Sequence, residues 1–298
     1  MSWPPYSPLP GVTGVAALTG LALDDAAAAL PIVAVKIDND PRARGQWALD
    51  GADVIFEENV EYMTRFIALF HSRQPAEAGP VRSARSGDLY ILAAMNRPVL
   101  AWSGGNAGVT QWVEAAAAAG RLVNLSALKV ACYRREESRP RPHNLILSMS
   151  CARSRSAGAG PARPLFRFTT ESDVPSGVPT PGFDVRMDGV RVRWDYDPAT
   201  GRYLRSQDGA SHLTAGGVRV AVTNVVVVYC THIQSPVEPR SPAPVTVGSG
   251  RVVVHVGGLA RSGTWRRAVD TDPWTFVADD GSEILLEPGT TWVQLARA

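Results

Sequence analysis

Lysine is nearly missing from this chain. Of 30 basic residues only Lys36 and Lys129 are lysines, and the rest are arginines. In an Ala-, Gly-, Pro- and Val-rich composition, that bias reads first as the mark of a GC-rich coding sequence. Neither sign of charge is in excess, since 30 basic against 28 acidic residues leave +2. This excludes a global attraction to nucleic acid or to an anionic membrane, so any anion recognition has to be local. Cysteine is scarce too. Cys132, Cys151 and Cys230 cannot all pair within one chain, and their spacing excludes a zinc finger or ribbon. Cys132 and Cys151 flank one segment and either bridge it in an oxidising compartment or remain buried thiols. No run reaches the roughly 18 consecutive apolar residues of a helical membrane span. Residues 1–10 hold four prolines and lack the basic start and apolar stretch of a secretory leader. The chain therefore reads as cytoplasmic, or as an exported protein whose leader has been replaced by a start methionine. No P-loop, dinucleotide fingerprint or Gly-x-Ser-x-Gly elbow occurs, which disfavours nucleotide binding by a standard loop.

What is present is an ordinary globular balance, 45% hydrophobic and 19% charged over 298 residues, enough for a sizeable core without staples. Residues 1–28 are Pro/Gly-rich and then Ala-rich and read as a tether, with a helical turn near Asp24 to Leu30. Ile32 to Ile37 is short, β-branched and apolar, the pattern of a buried strand. Asp53 to Glu58 and Thr64 to Phe70 follow as an antiparallel hairpin. Gly87 to Asn96 has helical spacing, Val99 to Trp102 is another strand, and Val109 to Ala119 is a helix closed by Gly120. The result is an N-terminal α/β sandwich-like domain with a mixed sheet over residues 29–155. Residues 156–182 read as a linker. Residues 183–298 contain short strand-like runs between Asp/Gly turns and read as a mostly antiparallel β domain, so the fold class is α+β.

Polar residues placed directly after a buried strand are costly unless they find partners or do something. Asp38, Asn39 and Asp40 occupy that position. Paired carboxylates there suit a hard cation or acid–base work, while Asp40-Pro41 also suits a plain turn. Arg82-Ser83-Ala84-Arg85 supplies two forked guanidiniums and a hydroxyl, the equipment for phosphate or carboxylate. Arg65 sits among apolar strand residues and needs either a carboxylate across the hairpin, with Asp53, Glu57 and Glu58 available, or a ligand. Arg134, Arg135, Arg139 and Arg141 lead into Pro142-His143-Asn144, a basic loop ending in an imidazole and a carboxamide. His143 there is a candidate general base or metal ligand, or a hydrogen-bonded structural histidine. Gly104-Gly105 precedes a helix and can present N–H groups to an anion. The tryptophans at 265, 274 and 292 have strand spacing and read as core aromatics.

In their order, Lys36-Ile37-Asp38-Asn39, Ala52 to Glu57, Thr64 to Phe70, Gly79 to Arg85 and Pro142 to Leu145 resemble the bacterial YerB-like lipoprotein family. In the second half Tyr203-Leu204-Arg205, Thr223 to Val227, Val247 to Gly250, Gly263-Thr264-Trp265 and Pro288 to Trp292 agree with it. The resemblance implies N- and C-terminal domains without an assigned activity, export, and a lipid anchor upstream of the given chain. The chain departs from that pattern at Asp40, where histidine is commoner, and at Ser86-Gly87-Asp88, where a Pro-aromatic pair is usual. A looser similarity of layout is to the LytR-CpsA-Psr phosphotransferases, which implies a pyrophosphate held by arginines and Mg²⁺.

The leading expectation is an extracytoplasmic protein binding an anionic ligand, either phosphate-bearing or carboxylated. Asp38 and His143 are the candidate catalytic residues, and Asn39, Asp53, Arg65, Arg82, Ser83, Arg85, Gly104, Gly105, Arg134 and Asn144 the candidate binding residues. The alternatives are a phosphoryl transferase or hydrolase with Mg²⁺ between Asp38 and Asp53, and an interaction scaffold.

Overall fold

The computed structural model describes residues 3–170, 173 and 176–298. Its strands begin with β1 (Val33–Asp38), β2 (Val54–Val60), β3 (Met63–Phe70), β4 (Val99–Trp102) and β5 (Val123–Ser126). A second group comprises β6 (Gly182–Met187), β7 (Val190–Asp197) and β8 (Arg202–Gln207). The chain closes with β9 (Asn224–Cys230), β10 (Gly248–Val256), β11 (Leu259–Arg267), β12 (Thr275–Ala278) and β13 (Thr291–Arg297). The helices are α1 (Asp25–Ala28), α2 (Ser86–Leu92), α3 (Ala107–Ala118) and α4 (Met149–Ser154).

The expected hairpin forms, with Glu58 opposite Arg65 and Val54 opposite Leu69, and β3 pairs antiparallel with β1, placing Asp38 opposite Arg65. β1, β4 and β5 run parallel, with α3 as the crossover between the last two. On the other edge of β2 lies the last strand of the chain: β13 pairs parallel with β2, Val54 to Thr291 through Glu58 to Leu295, and also parallel with β9. One mixed sheet thus runs in the order β12-β11-β10-β9-β13-β2-β3-β1-β4-β5. β6, β7 and β8 form part of a separate antiparallel sheet.

The large sheet is apolar on both faces. α2 and α3 cover one, packing Leu89, Ile91, Val109 and Trp112 against Phe56 and Ile67. The smaller sheet covers the other, packing Val192, Trp194 and Tyr203 against Ile55, Phe66 and Trp292. Trp265, Trp274 and Trp292 are core residues, as their spacing suggests. Asn106 caps α3 through its Oδ1, which accepts from Val109 N at 2.8 Å, and Gly120 follows the helix with φ +76°.

Parts of the two segments read from composition as tether and linker are packed, residues 171, 172, 174 and 175 of the latter lying outside the described residues. Leu18 and Thr19 are buried, Trp3 packs tilted against Tyr90 and edge-on against Trp112, and the Tyr6 hydroxyl donates to Asn96 Oδ1 at 2.9 Å. Ala162, Leu165 and Phe166 are likewise in the core. Pro- and Ala-rich composition describes the chain's local stiffness and says nothing of the apolar face waiting for it. Cys132 and Cys151 are bridged, whereas Cys230 is a buried free thiol.

Candidate functional site

Parallel strands point their carboxyl ends the same way, and in open α/β sheets the crevice outside those ends is where ligands bind. β1 and β4 end there at Asp38 and Trp102. Beyond Val35, β4 no longer pairs with β1. The segment after Gly79 takes its place: Asp38 N–H donates to Pro80 O and Arg82 N–H to Lys36 O, both at 2.9 Å. Ser103 N–H then donates to Arg82 O at 3.0 Å, tying this segment to the turn before α3. In that turn Gly104 has φ +81°, and a Cβ on it would lie 3.7 Å from Ser83 Oγ. The glycine turn and the Arg-Ser-Ala-Arg segment are therefore neighbours.

Asp38 is fully buried, and its Oδ2 is shared by His143 Nδ1 at 2.7 Å and Arg82 Nε at 3.1 Å. The His143 loop is held over it from outside. Arg139 donates to Ala43 O and Gly45 O at 3.0 and 2.8 Å and stacks on Trp47. Asn144 stitches the loop to itself, donating to Glu136 O and Arg139 O and accepting from Arg135.

The remaining arginines differ in how they are compensated. Arg85 carries two carboxylates, Glu61 at 2.8 Å and Glu238 at 3.3 Å. Among the described residues Arg65 meets none. Its residue is 4% exposed, it donates from Nη1 to Ser83 O at 3.3 Å, and its Nε is buried without a partner among those residues. Burial first, then the charges of Arg85 and Arg82, push the Arg65 guanidinium down to about 10, against the weaker opposing pull of Asp38 and Glu61. A buried cation among like charges is a costly arrangement that an anion relieves.

Beneath this cluster, on the same face of the sheet, Lys36 is buried between Glu58 and Asp88, reaching Asp88 Oδ1 at 2.8 Å. Burial and then the Asp88 charge raise the Glu58 carboxyl, to about 8. Asp88 Oδ2 also accepts from Arg85 N at 2.8 Å, so the triad anchors the arginine segment where it enters α2.

The structure thus brings together Asp38, Arg65, Arg82, Ser83, Arg85, Gly104 and His143, with Gly105 beside them in the turn. Other expected members lie elsewhere. Asp53 stands at the start of β2, the opposite end of the sheet from Asp38, where it accepts from His71 N at 2.6 Å and from Ser72. An Asp38–Asp53 cation site is therefore geometrically closed off. Among the described residues no group of three His, Cys, Asp or Glu side chains is arranged to hold a metal. Arg134 is bound to Glu77 and Glu136 on the surface. Asn39 points to the opposite face, bonded to Thr64 and Gln207, and Asp40 caps a 3₁₀ turn and binds Arg42. Asn144 acts only through its loop.

None of Asp53, Glu57 or Glu58 pairs with Arg65. Glu57 projects to the opposite face and meets Arg205 at 2.9 and 3.0 Å, with Trp292 Nε1 and Gln294 Nε2 donating to it at 3.0 and 3.2 Å. The strand pattern contained the reason. Neighbours in a strand alternate faces, so Glu57 and Glu58 can never serve the same partner. Glu61 and Glu238 were missed because each becomes a partner only when distant segments meet.

Two family models match, those for the N-terminal domain, residues 18–161, and the C-terminal domain, residues 183–293, of a protein of unknown function (DUF3048). The chain is 28% identical over 295 residues to "Putative lipoprotein YerB" of Bacillus subtilis, covering 94% of this chain and 85% of that one. The crystal structure of YerB protein from Bacillus subtilis matches with a TM-score of 0.82 at 24% identity, over 95% of this chain and 97% of the other. The sheet shared by both halves is therefore a family architecture, and the chain belongs to the DUF3048 family of YerB-like proteins.

Proposed function

We propose that this chain is an extracytoplasmic protein that binds an anionic ligand, phosphate-bearing or carboxylated, in the crevice formed by Arg65, Arg82, Ser83 and the Gly104-Gly105 turn. The observation that carries the reading is the Arg65 guanidinium, buried with no ion pair among the described residues and set among Arg82 and Arg85, whose repulsion outweighs the more distant Asp38 and Glu61. Arg82 and Ser83 are partly exposed, and Arg65 donates to the Ser83 carbonyl, so the buried cation lies next to surface-reaching groups. α3, twelve residues long, begins just beyond the glycine turn, so its dipole favours negative charge on the same side. The Cys132–Cys151 bridge supports an oxidising compartment, where such bonds persist. The lipoprotein name of the Bacillus relative agrees with that placement.

Isothermal titration with inorganic phosphate, pyrophosphate and a dicarboxylate tests this. Binding that Arg82→Ala weakens at least about tenfold, the worth of one charge-assisted hydrogen bond, supports the reading. Absence of heat with all three anions removes it.

A further inference from the structure

His143 has one ring nitrogen engaged and one free. A carboxylate only accepts hydrogen bonds, so the 2.7 Å contact with Asp38 places a ring proton on Nδ1, and in the neutral imidazole the lone pair is then on Nε2. Nε2 has no hydrogen-bond partner among the described residues, and it is absent from the polar atoms sealed in the interior without one. A ring that is otherwise 97% covered on its side chain therefore keeps its basic edge open. His71 and His255 each leave a ring nitrogen sealed in the interior without a partner, whereas Nε2 of His143 is not sealed, and His212 closes both of its nitrogens. Its Nδ1 lies 2.6 Å from Arg205 and its Nε2 2.9 Å from Gln46. The carboxylate that orients His143 also binds Arg82, so the open nitrogen and the arginine group share one anchor.

We infer that the crevice hydrolyses phosphate esters, with His143 as general base and Asp38 as its positioning residue. This rests on the anion-binding reading of the same site. The arginines hold the ester's non-bridging oxygens. Nε2 takes a proton from a water whose oxygen bonds to phosphorus, and the bond from phosphorus to the leaving oxygen breaks. The departing alkoxide takes a proton from solvent, and the imidazolium returns its own to solvent, so the ring ends as it began. No oxidant or second substrate is required.

The full chain is assayed with p-nitrophenyl phosphate and bis(p-nitrophenyl) phosphate in the presence of Mg²⁺, alongside titration of inorganic phosphate. Turnover in the wild type is expected. In His143→Gln, kcat is expected to fall about a hundredfold or more, in the range of general-base contributions, while phosphate affinity and KM stay within about twofold. Asp38→Asn is expected to lower kcat like His143→Gln and, because the same carboxylate holds Arg82, to raise KM as well, which His143→Gln does not. Diethyl pyrocarbonate, which acylates accessible imidazoles, is expected to abolish wild-type turnover, with inorganic phosphate protecting; this holds even if a variant fails to fold. Phosphate binding without turnover of either ester overturns the inference and leaves the binding reading standing. Absence of both phosphate binding and turnover in the wild type overturns both. Turnover that survives His143→Gln or the acylating reagent also overturns it.

Discussion

Asp38 and Arg65 face each other across the β1–β3 register, yet they make no ion pair: Asp38 is taken by His143 and Arg82, and Arg65 is left with a carbonyl. Strand register alone would join them. Arg82 intervenes because the segment after Gly79 replaces β4 at the end of β1.

Removing the unpaired cation is therefore expected to relieve the ligand-free protein. Arg65→Met is expected to leave stability unchanged or raise it by up to ~2 kcal/mol, since apolar replacement of buried charge is often neutral or stabilising. It is also expected to abolish phosphate binding. Urea denaturation combined with titration checks this, and a loss of several kcal/mol would show Arg65 to be a structural ion.

The Lys36 triad makes stability depend on pH. Burial and Asp88 raise Glu58 from 4.5 to about 8, so between those values the folded state holds a proton that the unfolded state has lost. Its stabilisation is full below pH 4.5, is lost as pH rises, and levels off above pH 8. His255, lowered by burial from 6.5 to about 4, acts oppositely, its share being lost as pH falls below 6.5. The melting temperature is accordingly expected to fall from pH 6.5 to 8. Glu58→Gln is expected to flatten that slope, and an unaltered slope in the variant would assign it elsewhere.

The Cys132–Cys151 bridge closes a loop of sequence separation 19 that contains His143. Replacing both cysteines by serine is expected to cost about 3 kcal/mol by the loop-entropy argument, read from urea curves with and without reductant. Curves that coincide under both conditions would mean that the loop is held by Arg139 and Asn144 alone.

Glu57 and Arg205 tie β2 to the smaller sheet through a pair that is 0% exposed on both sides. Glu57→Gln alone is expected to cost about 3–5 kcal/mol, because it leaves the guanidinium buried and uncompensated. Glu57→Gln with Arg205→Met is expected to recover most of that loss. Additive losses in a double-mutant cycle would contradict the coupling.

The sequence by itself determined the local elements. The β-branched run ending at Asp38, the hairpin from Asp53 to Phe70 and the helix closed by Gly120 follow from side-chain periodicity and capping, which act over a few residues. It also pointed to Asp38, Arg65, Arg82, Arg85 and His143, since charge at strand ends and inside apolar strands needs an explanation wherever the strands go. The tertiary structure alone decided which charges meet. It placed Asp53 at the wrong end of the sheet, turned Glu57 toward Arg205, and brought Glu61 and Glu238 to Arg85. It also set β13 beside β2, some 230 residues apart in the chain. Pairing over such separations depends on register and on which neighbour a strand accepts, and neither is written in the residues that pair. For that reason the arginines of the proposed site are legible in the sequence, whereas the absence of a carboxylate beside Arg65 among the described residues is legible only in the fold.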